Sequence, residues 1–330
     1  MFSRLIFTLC IPIISFWGCK KEEEEDIPVS VVFPYPEGMS TNFITVNGIS
    51  RKYLVYRTIG LSQVKSVVIV LHGGGGAGLT VADPGTHPLS VFRNVADTAK
   101  FLLVYPEGST DIQGNPGWND CRGDDLTGSQ GDDLNFLKQL NTKIATELKI
   151  GPSNMYLTGT SNGALMTFSY AFFYPQTIGA IAVSSGNLPL NPDPGPCTIG
   201  SLVPLPVMIT YGTLDPAMPA DGGCVANLGG NCNRGRVISQ SATLQYWLQR
   251  NGLANTIPSV TSFDVTPNDA GIVEKKIYAG LHPLVYYALN GAGHAVPSRT
   301  VFTSTTTASG AQNRDIEYAT EVWQFFRQLQ

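Results

Sequence analysis

Charge is scarce in this chain. Only 14% of its 330 residues are charged, with 21 Lys and Arg against 25 Asp and Glu and a formal net charge of −4. No basic stripe exists to neutralise phosphates, which excludes the usual electrostatic footprint of a nucleic-acid binder. Histidine is scarcer still at four, so a general base has few candidates. Cys121, Cys197, Cys224 and Cys232 include no CxxC pair and enclose no histidine, which argues against a zinc site. No apolar run reaches the roughly 20 residues of a membrane-spanning helix. Internal repeats are absent. Glycine (35) and proline (22) stay below the level of a disordered or fibrous chain, so the polypeptide is expected to build a real core.

The first residues are expected to lie outside that core. Arg4 precedes an apolar run, residues 5–17, broken by Pro12, which reads as a secretory signal peptide. Phe16-Trp17-Gly18-Cys19 resembles the lipobox of bacterial lipoproteins, in which a small residue precedes the cysteine that is lipidated. Lys20-Lys21-Glu22-Glu23-Glu24-Glu25-Asp26 has nothing to bury and reads as a solvated tether. The expected organisation is a signal peptide at 1–18, a lipidated acidic tether at 19–40 and one catalytic domain at 41–330. Export makes disulfides possible, and the four remaining cysteines allow three pairings. Cys224 and Cys232 share a short Gly/Asn-rich loop, so the preferred pairs are Cys224 with Cys232 and Cys121 with Cys197.

Beyond the tether, residues 42–46 and 52–56 flank Asn47-Gly48, a dipeptide suited to a tight antiparallel turn. The pattern then changes. Compact apolar runs at 67–71, 101–105, 155–157, 178–183, 207–211 and 284–289 read as buried strands. Helical periodicity at 132–148, 164–173, 239–250 and 315–329 alternates with them, with Gly151-Pro152 as the expected stop of the first. Repeated strand-helix-strand alternation means a layered α/β domain with a mostly parallel sheet.

Gly159-Thr160-Ser161-Asn162-Gly163 is a GxSxG motif placed after an expected strand and before an expected helix, the context a nucleophile elbow requires. Ser161 is therefore the candidate nucleophile. The helix start behind it adds partial positive charge where an oxyanion would form. Among the histidines after Ser161, His282 precedes the strand at 284–289 and His294 follows it. Ligands gather at the carboxyl ends of parallel strands, which selects His294 as base. The same rule selects Asp215, just after the strand at 207–211, as the acid; Asp221 is second choice, and turn capping ahead of Pro216 is its plain structural alternative.

His72-Gly73-Gly74-Gly75-Gly76 follows the strand at 67–71. An HGGG-type run can aim backbone amides at an oxyanion, with the amide after the nucleophile, here Asn162, as second donor. Gly74 is the first choice and Gly73 the next. A dinucleotide fingerprint also fits these glycines, but no acid lies about 20 residues on at a second strand end, and a Walker loop fails for want of Lys-Ser/Thr. No cofactor or metal is expected.

Arg51-Lys52-Tyr53-Leu54-Val55-Tyr56, the run from Leu71 to Gly76, Tyr105-Pro106-Glu107-Gly108, Trp118-Asn119-Asp120, Asp132-Asp133, the elbow, Tyr211-Gly212-Thr213-Leu214-Asp215, Gly293-His294 and Trp323-Gln324-Phe325-Phe326 together resemble the polyhydroxybutyrate depolymerase and feruloyl esterase group of secreted α/β-hydrolases. The resemblance implies an α/β-hydrolase fold with helices on both faces of a mostly parallel sheet and no separate lid domain. It also implies Ser161, Asp215 and His294 as nucleophile, acid and base. That group often carries an aromatic after the histidine, where this chain has Ala295-Val296-Pro297. The expected partner is an ester-bearing polysaccharide or a polyester, attacked by an exported monomer that meets the membrane only through its lipid anchor. A peptidase and a non-catalytic carbohydrate-binding surface lipoprotein are the competing functions. Trp118 and His72 are the candidate substrate contacts. The loops around Trp118, at 189–206 and at 216–235 are rich in Gly, Asn, Pro and Thr, which suggests a charge-poor cleft suited to short, uncharged esters.

Overall fold

The computed structural model describes residues 33–111, 114–120, 122, 131–190, 203–226 and 232–330. β1 (Gly38–Val46) and β2 (Ile49–Arg57) form an antiparallel hairpin in which Val46 pairs with Ile49 across Asn47-Gly48. Both turn residues have positive φ, as a two-residue hairpin loop of the primed type needs. Within the span expected for the tether, β1 opens at Gly38, and Tyr35 is buried with its hydroxyl donating to Glu147. A buried aromatic, absent from the charge pattern that suggested a tether, draws this segment onto the domain.

β3 (Val67–Leu71) is followed by the short α1 (Gly78–Ala82), α2 (Phe92–Ala99) and β4 (Leu102–Pro106). The two-residue strands β5 (Ser109–Thr110) and β6 (Pro116–Gly117) pair with each other. α3 (Asp133–Leu148) is capped by the Asp132 carboxylate, which accepts from the Asn135 amide. It stops at Lys149, in the left-handed conformation, two residues before the expected Gly-Pro. β7 (Met155–Thr160), α4 (Asn162–Phe173), β8 (Ala180–Ser184) and β9 (Val207–Gly212) then alternate. After the small hairpin of β10 (Gly223–Ala226) and β11 (Cys232–Val237) come α5 (Gln240–Arg250), β12 (Ser259–Phe263), β13 (Ile272–Tyr278), β14 (Leu284–Asn290) and α6 (Tyr318–Arg327).

Ten of these strands form one sheet in the order β1-β2-β4-β3-β7-β8-β9-β14-β13-β12. The six from β4 to β14 are parallel, and an antiparallel pair extends each side. This is an α/β-hydrolase fold. β3, β4, β7 and β8 are buried along their whole length, which is why they read as continuous apolar runs. β12 and β13 escape such a reading because they are largely exposed or half-buried and carry polar and charged residues among the apolar ones.

α2 and α6 pack on one face, joining Val68, Val70, Leu103, Tyr105 and Tyr156 to Phe92, Val322 and Phe326 in one apolar cluster. Trp323 stacks on Phe101 with ring centroids 4.1 Å apart, and Phe326 on Tyr156 at 4.5 Å. Each such ring contributes about 1.5–3 kcal/mol by burial and about 0.5–1.5 kcal/mol more by stacking. α3, α4 and α5 cover the opposite face, where Phe168 of α4 stacks on Trp247 of α5 at 5.6 Å. The cysteine pairing falls mostly outside the described residues: Cys121 and Cys197 lie there, as does the Cys232 side chain. Cys224 is disulfide-bonded.

Candidate active site

The site lies at the carboxyl ends of β7, β9 and β14. Ser161 sits between β7 and α4 with φ 54° and ψ −123°, a strained conformation for a non-glycine residue. The turn closes only because its flanks lack side chains: a Cβ on Gly159 would lie 2.3 Å from the Gly163 carbonyl oxygen, and one on Gly163 2.4 Å from that of His72. The Ser161 amide donates to the Ser184 carbonyl at 3.0 Å, tying the elbow to the end of β8.

β9 and β14 are parallel neighbours, so their carboxyl ends deliver Asp215 and His294 side by side. The Asp215 side chain is fully buried. Its Oδ1 accepts from the amides of Ala217 (2.9 Å) and Met218 (2.8 Å), leaving Oδ2 for the His294 Nδ1–H at 2.7 Å. Ser161 Oγ donates to His294 Nε2 at 2.8 Å. A fixed carboxylate thus holds the imidazole in the tautomer that can accept the serine proton. The histidine loop is itself pinned: the His294 amide donates to Ser309 O at 2.6 Å, and Ser185 Oγ donates to His294 O at 2.9 Å. Ser185 has φ 57° and anchors the base from the end of β8. His282 stands at the amino end of β14, where its carbonyl accepts from Asn251 Nδ2. Asp221 is exposed.

In the glycine run, the Gly75 amide donates to Pro116 O (2.8 Å) and the Gly76 amide to Gly73 O (3.1 Å). The amides of Gly73 and Gly74 are not spent in this way. The position a Cβ would take on Gly73 is 3.5 Å from Ser161 Cβ, and that on Gly74 is 3.5 Å from Asn162 Cβ. Gly73 therefore borders Ser161 itself, and Gly74 borders the residue that follows it.

Trp118 and His72 are not substrate contacts. Their relative exposures are 2% and 0%. Trp118 Nε1 donates to His72 O at 2.8 Å, and His72 Nε2 accepts from the Gly108 amide at 3.0 Å. Burial pushes the His72 pKa below its ordinary value, so the ring stays neutral and can accept that bond. The pair braces the glycine run, and Trp118 serves there as a buried core tryptophan rather than as an aromatic platform for an acyl or sugar group. The Asn162 side chain completes the brace: its Oδ1 accepts from Trp118 N (2.7 Å) and its Nδ2 donates to Trp118 O (2.9 Å) and to the Asp120 carboxylate. Asp133 anchors the same segment through the Asn119 amide (2.8 Å) and is itself in a buried ion pair with Arg51. Arg234 of β11, which the sequence reading missed, places Nη1 3.1 Å from the position of a Cβ on Gly74.

Residues 59–227 match the profile of the Phospholipase/Carboxylesterase family. The chain belongs to this family. The matched span holds the glycine run, Ser161 and Asp215, while His294 lies beyond it. Among curated relatives, poly(3-hydroxyalkanoate) depolymerase C of Paucimonas lemoignei is 26% identical over 72% of this chain and 56% of its own length. Feruloyl esterase B of Neurospora crassa is 31% identical over 38% of this chain and 40% of its own. The chain spans about half the length of the curated relatives it matches. The solved acetyl xylan esterase from Aspergillus awamori superposes with a TM-score of 0.53 at 17% identity, covering 78% of this chain and 95% of that one, a likeness of fold.

Proposed function

We propose that the protein is a serine esterase that hydrolyses carboxylic esters, of the feruloyl or acetylxylan esterase type acting on ester-bearing plant polysaccharide. The observation that carries this reading is the hydrogen-bonded chain from Ser161 Oγ through His294 to the buried Asp215, starting from a strained turn at the head of a helix. His294 Nε2 takes the hydroxyl proton as Ser161 Oγ attacks the ester carbonyl carbon. The amides of Asn162 and of Gly73 or Gly74 hold the oxyanion, and Asp215 stabilises the imidazolium. His294 then protonates the departing alcohol. Water repeats the cycle on the acyl-enzyme, releasing the acid and restoring Ser161.

A polyester depolymerase is the second reading, favoured by the length over which the poly(3-hydroxyalkanoate) depolymerase aligns. The N-terminal residues, outside those described, complete the proposal: signal removal, a lipid on Cys19 and display of a monomer at the outer membrane or cell surface. A series of p-nitrophenyl esters from acetate to palmitate, with methyl ferulate and acetylated xylan beside it, tests the reaction and its substrate. Short acyl and hydroxycinnamoyl esters are expected to be cleaved fastest, because each added methylene that finds no apolar surface forgoes about 0.8 kcal/mol. Ser161→Ala should abolish all of it. Specificity constants rising steadily to palmitate would indicate a lipase instead, and activity surviving in Ser161→Ala would move the nucleophile elsewhere.

A further inference from the structure

A cleft expected to be charge-poor leaves one cation to account for, Arg234. Its guanidinium reaches over the glycine run from β11, with Nη1 only 3.1 Å from the point where a side chain on residue 74 would begin. A Cβ on residue 74 would touch the end of that side chain and push it aside by a few tenths of an ångström. On its other side Gly74 borders Asn162, and the preceding Gly73 borders Ser161, so the cation stands within one residue of the backbone that faces the nucleophile. The neighbouring Arg122 is different in kind. It lies buried against Asp120, with Nη2 2.8 Å from Oδ2, and that pair is neutral as a unit. Among the described residues, Arg234 has neither a carboxylate partner nor a hydrogen-bond acceptor. Its side chain belongs to a half-buried residue, partly stripped of the water that would otherwise screen it. A guanidinium left unpaired beside a reaction centre is complementary to a planar carboxylate, which it can grip with two parallel N–H donors.

We infer that Arg234 is a specificity-determining residue that binds a carboxylate carried by the substrate, so that the preferred esters are monoanions with the negative charge on the acyl or the alcohol half. For its catalytic meaning the inference rests on the esterase reading above; the binding itself does not. The test uses two isosteric pairs: methyl 4-carboxybenzoate with methyl 4-carbamoylbenzoate, which place charge or a neutral amide on the acyl half, and 4-acetoxybenzoate with 4-acetoxybenzamide, which place it on the alcohol half. Calorimetric titration of the full-length Ser161→Ala protein reads affinity without turnover. In at least one pair the anion should bind about tenfold or more tightly than the amide. Adding Arg234→Gln should remove that preference, Arg234→Lys should keep part of it, and raising the salt concentration should weaken it. Equal affinities within both pairs, or a preference that survives Arg234→Gln, overturns the assignment. The wild-type protein supplies the separate readout: preferential binding of the anion with no hydrolysis of any ester would overturn the esterase reading and leave the anion site standing.

Discussion

Asp215→Asn is the substitution for which the geometry gives the sharpest expectation. The carboxylate has two jobs, divided between its oxygens. Oδ1 accepts from the Ala217 and Met218 amides, and Oδ2 faces His294 Nδ1. An asparagine must keep its single oxygen on the two amide donors, because turning it round would set two N–H groups against an NH2 in a fully buried site. Its NH2 is then forced toward His294 Nδ1, which can only respond as an acceptor. The imidazole proton moves to Nε2, where it points at Ser161 Oγ and blocks proton removal. A wrong tautomer in a Ser-His-Asp unit costs about 10⁴ in kcat, equivalent to about 5 kcal/mol in the barrier. The two turn bonds persist, weakened by the lost charge, so the fold should lose no more than about 1–2 kcal/mol. Steady-state hydrolysis of p-nitrophenyl acetate measures the first quantity and thermal unfolding the second. A variant within tenfold of wild-type kcat would show that Asp215 merely caps the turn ahead of Pro216, and that another acid orients the base.

His294→Ala should fall to within about tenfold of Ser161→Ala, because members of a catalytic unit fail together, while His282→Ala at the far end of β14 should retain wild-type kcat/KM; the reverse pattern would refute the strand-end assignment. Gly163→Ala places a Cβ 2.4 Å from His72 O and 2.7 Å from Leu71 O, atoms of backbone that cannot step aside. Denaturant unfolding should show a loss of about 1–3 kcal/mol from overpacking, and an unchanged midpoint would mean that α4 and β3 are less tightly apposed than the distances require. Cys19→Ser should release the protein from the membrane fraction, since the acidic tether has no affinity of its own for lipid; labelled fatty acid still incorporated into the variant would contradict the anchor.

The sequence made the frame of this molecule legible because its central strands are buried on both faces. Residues 67–71 and 207–211 are apolar throughout, and such runs can be recognised without knowing what covers them. Ser161, Asp215 and His294 could be expected to meet because each follows a strand, and the carboxyl edge of a parallel sheet is one place in space. The β12–β13 extension was hidden by its exposure: Val260, Ile272 and Ile277 are all more than one-third exposed, and the charged run Glu274-Lys275-Lys276 breaks the apolar stretch of β13. Arg234 was hidden by context. Nothing local distinguishes it from a surface arginine, and only the pairing of β10 with β11 carries it to Gly74. The error over His72 and Trp118 has the same root. His72 opens the glycine run while Trp118 stands more than 40 residues from it, and whether a ring faces the cleft or supports its floor depends on which loop passes above it.

The floor explains why so many polar groups are buried here. An oxyanion site made of backbone amides has no side chains of its own to lock it, so its precision must come from whatever holds that backbone. In this chain three buried polar residues do so. His72 takes the Gly108 amide, Trp118 takes the His72 carbonyl, and Asn162 takes both backbone groups of Trp118. Asn162 also follows Ser161 directly, and its own amide is the second donor of the proposed oxyanion hole. One residue therefore links the two halves of the hole, so that displacing residues 116–120 displaces the glycine run and the helix start together. Each of these groups would cost about 1–3 kcal/mol if left unpaired, which makes any partly assembled arrangement unfavourable and the complete one self-correcting. The scarcity of charge belongs to the same design. Neutral donors and acceptors can be buried and interlocked without the desolvation cost of ions, and the ions that do lie in this floor are paired, Arg122 with Asp120 and Arg51 with Asp133, whereas Arg234 has no such carboxylate among the described residues.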